Sequence, residues 1–365
     1  MNRLQACLYL RWLPSFGNIR ARKLLDFCKT PEAIFDHSPE EFLQIDGIGT
    51  NHIGHFKKWK SLKDQVLKEE ENINKNEIKT LFLGSPDYPK TLSFCPDAPL
   101  VLFYKGNIDF KDQKIISIVG TRSNNAYGRK ICQQLIEGLA PLNPLIVSGF
   151  AYGIDIIAHK QALRSGLATI ACMGHGLDQI YPPDHRRFVK KICRNGGFIT
   201  DFTTAETFDR KNFLIRNRLI AGLAHATVVI QSDRKGGSMN TANYAHQYNR
   251  ELFAFPGPTD QALHRGCHDL IRTQQAQLIS NAEDLINAMG WGTENEPNAV
   301  QKQLFVELTD AEKIIFNHLK ELSNDSLDNI ALATKKSVGE TASLLLQLEM
   351  KGCIRPLPGK HFEWI

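Results

Sequence analysis

The sequence contains no apolar run that approaches the roughly 20 residues of a membrane-spanning helix. It also has no signal-peptide cleavage pattern, since Arg3 and Arg11 interrupt Met1 to Leu13. A cytoplasmic protein is expected. None of the eight cysteines forms a C-x-x-C pair, and several sit inside apolar runs, as Cys172 does in T-I-A-C-M, which points to structural, reduced and buried thiols. A Walker-type G-x-x-x-x-G-K-[ST] loop is absent. So is any cluster of carboxylates with metal-ligand spacing, which argues against a nuclease or a nucleotidyl transferase. No metal and no cofactor are expected.

What is present is ordinary in bulk and informative in order. At 42% hydrophobic and 23% charged residues, a chain of 365 can bury a sizeable core in two or three domains. The net charge of +5 is unevenly spread: residues 1–75 carry 12 basic and 10 acidic side chains, 76–305 carry 25 and 20, and 306–365 carry 7 and 9. That balance allows a polyanionic partner for the first two segments without demanding one.

The chain is organised around Ile115 to Gly128, I-I-S-I-V-G-T-R-S-N-N-A-Y-G. The β-branched run Ile115–Val119 predicts a strand buried on both faces, and Ile131, Leu135, Ile136 and Leu139 predict a helix over Tyr127–Ala140. A strand, a glycine turn and a helix start aim backbone N–H groups at one point, and Arg122 adds a permanent cation. Further strand-like runs follow at Leu145–Val147, Thr169–Met173, Phe198–Asp201, Thr227–Gln231, Glu251–Phe255 and Gln277–Ser280. Helical patterns separate them, at Ile154–Ser165, His185–Asn195, Phe213–His225, Ser238–Asn249, Cys267–Thr273 and Ala282–Met289. Repeated β-α units predict an α/β fold: a Rossmann-like, mostly parallel sheet with helices on both faces and ligands at the strand carboxyl ends.

Four segments are expected. Residues 1–75 read as a helical domain; residues 76–291 as the extended Rossmann-like domain, with strand-like pieces before Ile115 extending its edge; 292–307 as a linker; and 308–365 as a winged-helix domain. In the first, L-Q-I-D-G-I-G-T-N-H-I-G-H-F resembles a helix-hairpin-helix turn in which Gly47 and Gly49 could face a DNA phosphate, but only Lys57, Lys58 and Lys60 follow, so helix packing is favoured. Lys63 to Lys79 reads as an exposed helix and linker. In the last, Thr309 and Glu312 make a capping box, further helices run Leu327–Ala333 and Val338–Met350, and Ile354–Pro358 pairs with His361–Trp364. The third helix offers Lys335 and Lys336 before it, then Glu340 and Glu349, so protein interaction suits it better than a DNA groove.

The strand ends carry the candidate site. A dinucleotide turn needs G-x-G-x-x-G and an acidic residue ending the second strand; here the second and third glycines and the carboxylate are missing, which excludes NAD. S-G-F-A-Y-G-I-D places Ser148, Gly149, Phe150 and Gly153 at a second turn, and Asp155 with His159 reads as structure rather than as an acid–base pair. D-R-K-N-F-L-I-R-N-R then concentrates Arg210, Lys211, Phe213, Arg216 and Arg218; cations with an interleaved aromatic suit a single nucleic-acid strand. Arg216 and Arg218 cannot share one helix face, so at least one is expected to be structural. A third glycine turn holds Lys235, Gly236, Gly237 and Ser238.

Six motifs, G-T-R-S at 120, S-G-F-A-Y-G-I-D-I-I-A-H at 148, G-H-G-L-D-Q-I-Y-P at 174, F-L-I-R-N-R-L-I-A-G at 213, G-G-S-M-N-T-A at 236 and F-A-F-P-G at 253, together resemble the DNA-processing protein DprA (Smf) family. The resemblance covers nearly the whole chain. It implies a homodimer without catalytic activity that binds incoming single-stranded DNA and loads the RecA recombinase onto it during natural transformation. It also implies a DNA pocket that uses Arg122, Arg210, Lys211 and Phe213 and is lined by the glycine turns at Gly120 and Gly149; with Thr121, Ser148, Phe150, Arg216, Arg218, Lys235 and Gly237, read from the turns and the basic run themselves, these make the expected DNA site. The chain departs from the family pattern at Tyr152, where a basic residue is frequent, around Asp201, and at Gln231, where an acidic residue is usual. The competing reading is an enzyme on a related core acting on a nucleoside monophosphate or phosphoribosyl compound, with Asp155 or Asp201 as base. A weaker third is a transcription regulator using the winged helix on duplex DNA.

Overall fold

The computed structural model describes residues 1–111, 113–292, 308–357 and 359–364. They divide into two compact units, 1–285 and 286–365, and each is described by itself. The linker expected over 292–307 lies, apart from Gly292, outside the described residues.

The first unit is built on a nine-stranded sheet: β1 (Lys79–Phe82), β2 (Val101–Asn107), β3 (Ile115–Val119), β4 (Leu145–Ser148), β5 (Thr169–Cys172), β6 (Gly196–Thr200), β7 (Ala226–Val229), β8 (Glu251–Ala254) and β9 (Gln277–Leu278). Their spatial order is β1-β2-β6-β5-β4-β3-β7-β8-β9. The strands from β6 to β9 are parallel, while β1 and β2 extend the edge antiparallel. Every residue of β3 to β7 is buried, as strands covered by helices on both faces require. The chain winds from β3 to β6 in one direction and then returns to β7 on β3's other side. That reversal opens a crevice at the carboxyl ends of β3 and β7, where open α/β sheets hold ligands.

The N-terminal helices belong to the same compact unit as the sheet. Helix Lys63–Lys75 is not the exposed linker that its composition suggests. Val66, Glu69 and Ile73 fall on one face and are buried. Glu69 accepts hydrogen bonds from the Thr204 N–H and hydroxyl, each at 2.7 Å, and from the Ala205 N–H at 3.1 Å, locking this helix to the loop after β6. The turn at Gly47 and Gly49 is also satisfied internally: the Gly49 N–H donates to His52 Nδ1 at 3.0 Å, and the Gly47 carbonyl accepts from Arg20. That N–H is not free to meet a phosphate.

Two histidines of this unit make stability depend on acid. His159 is fully buried, and Thr169 Oγ1 lies 2.7 Å from its Nδ1 while donating its own proton to the Ile146 carbonyl, so Nδ1 carries the ring's proton and Nε2 has no partner. Burial pulls the His159 pKa down to about 3 and that of His225 to about 4. His225 Nδ1 accepts the Ile115 N–H at 3.1 Å, a bond that protonation there would break. As pH falls through about 6.5 the unfolded chain takes up these protons and the folded chain does not. Stability is therefore complete above about pH 6.5 and is lost progressively toward the folded pKa values. For His159 the loss at pH 5 is about 2 kcal/mol. Urea midpoints measured at pH 7 and pH 5 are expected to fall in that order.

The second unit is a winged helix. Helices Asp310–Leu322, Leu327–Thr334 and Val338–Met350 bury Ile315, Leu319, Ile330, Leu345 and Leu348 against Ile354. The capping box forms as the sequence indicates: the Thr309 N–H donates to Glu312 at 2.7 Å, and the Glu312 N–H donates to Thr309 Oγ1 at 3.3 Å. The wing pairs β11 (Ile354–Leu357) with β12 (His361–Trp364), and β10 (Asn324–Ser326), too short and polar to read in advance, joins it antiparallel. Pro358 lies outside the described residues.

All eight cysteines are free, and six of them are buried. Among the described residues no helix is long and apolar enough to cross a membrane.

Candidate nucleic-acid interface

Three turns meet in the crevice between β3 and β7. A cavity of about 420 Å³ there is lined by Gly120, Thr121 and Arg122 after β3, by Ala151 and Asp155 after β4, and by Lys235, Gly236 and Gly237 after β7. One face of helix Arg210–Leu223 closes it with Phe213, Asn217 and Ile220, spaced four and three residues apart, together with Arg216.

Two close contacts, one with a side chain and one with backbone, explain why glycines stand at the turns. A Cβ on Gly120 would lie 2.6 Å from Ile154, and one on Gly153 only 2.2 Å from the Thr121 carbonyl. Gly153 also has φ of 82°, which disfavours any side chain, so the β4 turn can press directly against the Arg122 turn. The Ile154 N–H donates to the Thr121 carbonyl at 3.2 Å and fixes that contact. Gln231 secures the other side: the Thr121 N–H donates to its carbonyl at 2.7 Å, and its buried carboxamide donates to Asn125 Oδ1 at 2.9 Å. The glutamine thus has a structural task that an acidic side chain, having no donor, could not perform.

The anion site differs in one respect from the reading of Ile115–Gly128. Helix Ala126–Leu139 does not offer its start to a ligand, because Asn125 Oδ1 accepts the Gly128 N–H at 3.0 Å and Gln231 covers the Asn125 N–H. The cavity lies on the other side, against the β4 and β7 turns.

The candidate residues separate into distinct groups. Arg122 and Lys235 are exposed at the cavity, and no hydrogen bond or ion pair with a described residue engages either side chain. Arg210 and Lys211 are exposed at the adjoining helix start, outside the cavity lining. Arg216 is buried, and its guanidinium donates to the Gly149 and Cys172 carbonyls beside Asp155, so it forms the floor and holds two strand ends together. Burial pushes the Asp155 carboxyl above its ordinary range, with Arg216 and Arg122 opposing. His159 lies elsewhere, against Thr169, so Asp155 has no imidazole beside it to act as a pair.

Three candidates lie outside the lining of this cavity. Ser148 is fully buried and donates to the Ile118 carbonyl at 2.6 Å, tying β4 to β3. Phe150, at φ of 63°, is 0% exposed and packs on Phe198 and His185 at 5.1 and 5.2 Å. Arg218 is buried against the Asp201 carboxylate and donates to the Asp97 carbonyl at 2.7 Å. Facing the opposite side of its helix from the cavity lining, it is the structural member of the arginine pair.

Sequence reasoning missed an aromatic group beside the cavity. Phe213 lies 5.4 Å from Phe208 and 5.6 Å from Tyr181, ring centre to ring centre, and Tyr181 lies 5.0 Å from Phe208. Phe208 and Phe213 are close in sequence, but Tyr181 comes from a distant stretch, so local spacing does not announce the cluster.

Comparison with known proteins fits this geometry. The family model for DNA recombination-mediator protein A matches residues 79–290, more than half the chain, and that for the DprA winged helix domain matches residues 301–360. The chain belongs to the DprA/Smf family. Protein Smf of Synechocystis is 28% identical over 97% of this chain and 98% of its own length. DNA processing protein DprA of Streptococcus pneumoniae is 38% identical over 54% of this chain and 70% of its own. The X-ray structure of the Streptococcus pneumoniae DprA matches with a TM-score of 0.69 at 29% identity, covering 79% of this chain and 98% of that one. A structure of the Helicobacter pylori DprA, described for its single-stranded DNA binding mode, matches with a TM-score of 0.53 at 31% identity, covering 59% and 96%. The family match and the crevice therefore coincide within residues 79–290.

Proposed function

We propose that this DprA-family chain binds single-stranded DNA through the crevice between β3 and β7 and acts as a non-enzymatic recombination mediator. The observation that carries the reading is that Arg122 and Lys235, neither of them in a hydrogen bond or ion pair with a described residue, line one cavity together with three backbone turns. Arg210 and Lys211 continue the positive track outside the cavity, and Phe213 gives a base a face to stack on. Cations that follow a backbone, together with an aromatic face, favour a flexible single strand over a duplex. The binding set in this proposal is Gly120, Thr121, Arg122, Gly149, Arg210, Lys211, Phe213, Lys235 and Gly237, with Arg216 as floor.

The proposal extends, as the family resemblance implies, to loading of RecA onto the bound strand, a homodimer as the working form and the cytoplasm as its compartment. Residues 76–291 are assigned the DNA-binding role, and the helices of 1–75 and the winged helix of 308–365 accessory ones. Affinity for oligo-dT against a duplex of equal length, with and without residues 306–365, tests the core of this. The single strand should bind more tightly in both forms of the protein, and a preference for duplex would favour the regulator reading instead.

The turn geometry gives a further expectation. Gly153→Ala should push the Arg122 turn away from β4 and weaken oligo-dT binding about tenfold or more, because the new methyl meets backbone that cannot rotate aside. Filter binding compared with Gly166→Ala, another positive-φ glycine with open space around it, separates displacement of the site from general backbone strain.

A further inference from the structure

A second, shallower cleft adjoins the phosphate cavity and shares Arg122, Ala151 and Phe213 with its lining. Its remaining lining is Gly149, Phe150, Tyr152, Tyr181 and Pro182, with Tyr152 and Tyr181 giving the open faces. Tyr152 is 42% exposed and Tyr181 43%, so two large rings stand open to solvent at one place. Neighbours hold both in position. The Tyr152 hydroxyl donates to Asp184 at 2.8 Å while its ring meets His185 edge-on at 4.9 Å. Tyr181 is braced by Phe208 and Phe213. Rings already fixed by their neighbours lose little freedom when something stacks on them.

We propose that this cleft seats the base of a nucleotide whose phosphate lies at Arg122, with Tyr152 and Tyr181 as stacking faces beside Phe213. The inference rests on the single-stranded DNA reading and adds to it where the base goes. Three features lead to it. Arg122 belongs to both cavities, so a phosphate held there has its own nucleotide within reach of the cleft. Arg122 is the one charged side chain in the cleft lining, which suits an uncharged planar group and not a second phosphate. The Tyr152 hydroxyl is already engaged by Asp184, so this ring presents its face and not a donor aimed at a base edge. The cleft therefore recognises that a base is present and is tolerant of which base it is.

The test compares oligo-dT with an oligomer of the same phosphates whose sugars carry no bases, bound by wild type, Tyr152→Ala, Tyr181→Ala and Tyr152→Phe. Wild type should prefer oligo-dT. Each alanine variant should lose about tenfold on oligo-dT, the scale of one aromatic–base stack, with unchanged affinity for the abasic oligomer and an unchanged salt slope. Tyr152→Phe should stay close to wild type. A measurement needing no variant is 2-aminopurine placed at successive positions of the strand, where one position should be quenched on binding to the wild-type protein. Equal losses on both oligomers, no loss on either, or no quenched position would overturn the base seat while leaving phosphate binding intact. Failure of wild type to bind either oligomer would overturn the underlying DNA reading and the base seat together.

Discussion

Replacing Arg218 with alanine is expected to remove about 3–5 kcal/mol of folding stability, the usual consequence of leaving a buried charge without its partner. The charge is that of Asp201. Its carboxylate sits at the end of β6, nearly inaccessible, between Arg218 and the Arg11 guanidinium 3.5 Å away. Burial alone would raise its pKa, but the two arginines outweigh that and hold it below the ordinary carboxylate range. Oδ1 of Asp201 already lacks a hydrogen-bond partner, so the site has no spare donor to compensate for a missing guanidinium. Arg11 is itself committed, its Nε donating to Glu206 at 2.7 Å and its Nη2 to the same carboxylate at 3.0 Å. Urea unfolding measures the loss. Asp201→Asn should recover part of it in the double variant, since a neutral amide costs less to bury than an unpaired carboxylate. Because Arg218 faces away from the cavity, whatever protein remains folded should bind DNA with unchanged salt dependence.

The opposite pattern is expected for Arg122→Ala. This side chain is exposed, makes no hydrogen bond or ion pair with a described residue and lines both cavities, so its removal should cost little stability. Affinity for oligo-dT at low salt should fall on the order of 10- to 100-fold, the range for one charge-assisted hydrogen bond. The salt dependence should also flatten, because each phosphate of a single strand that the protein ceases to neutralise takes about 0.7 off the slope of log K against log salt. Lys235→Ala should flatten the slope in the same way. An unchanged slope for Arg122→Ala would remove this residue from the phosphate path. Arg218 pairs with a buried carboxylate and Arg122 is proposed to grip a phosphate, two tasks that residue type alone does not distinguish.

That ambiguity marks the boundary of what the sequence could reveal. The β-α alternation was legible because a strand buried on both faces has to be a continuous apolar run, and Ile115–Val119 is found at those residues. The glycine turns were legible for the same kind of reason: backbone passing this close to backbone leaves no room for a Cβ, as at Gly153. Helical periodicity also separated Arg216 from Arg218. It could not say which of them met a carboxylate, because Arg218's partners Asp97 and Asp201 come from other strands and loops. For Phe150 a strand-end position beside a glycine did not reveal that a positive φ turns its ring into the core against Phe198, at the base of the second cleft. The composition of Lys63–Lys79 hid Glu69, a charged residue buried because three loop donors satisfy it. The aromatic group is completed by Tyr181, which is distant in sequence from Phe208 and Phe213, and so had no local pattern to show.

The central claim is that the three glycine turns grip successive phosphates of one strand and do not enclose a small substrate. The most direct test is affinity as a function of length, from thymidine monophosphate through short oligo-dT to strands longer than the crevice. Affinity should rise steeply over the first several nucleotides and then level off, with the mononucleotide bound weakly and recovered unchanged. Tight, saturable binding of the mononucleotide with no gain from added nucleotides, or its turnover, would contradict the account and favour an enzyme built on the same core.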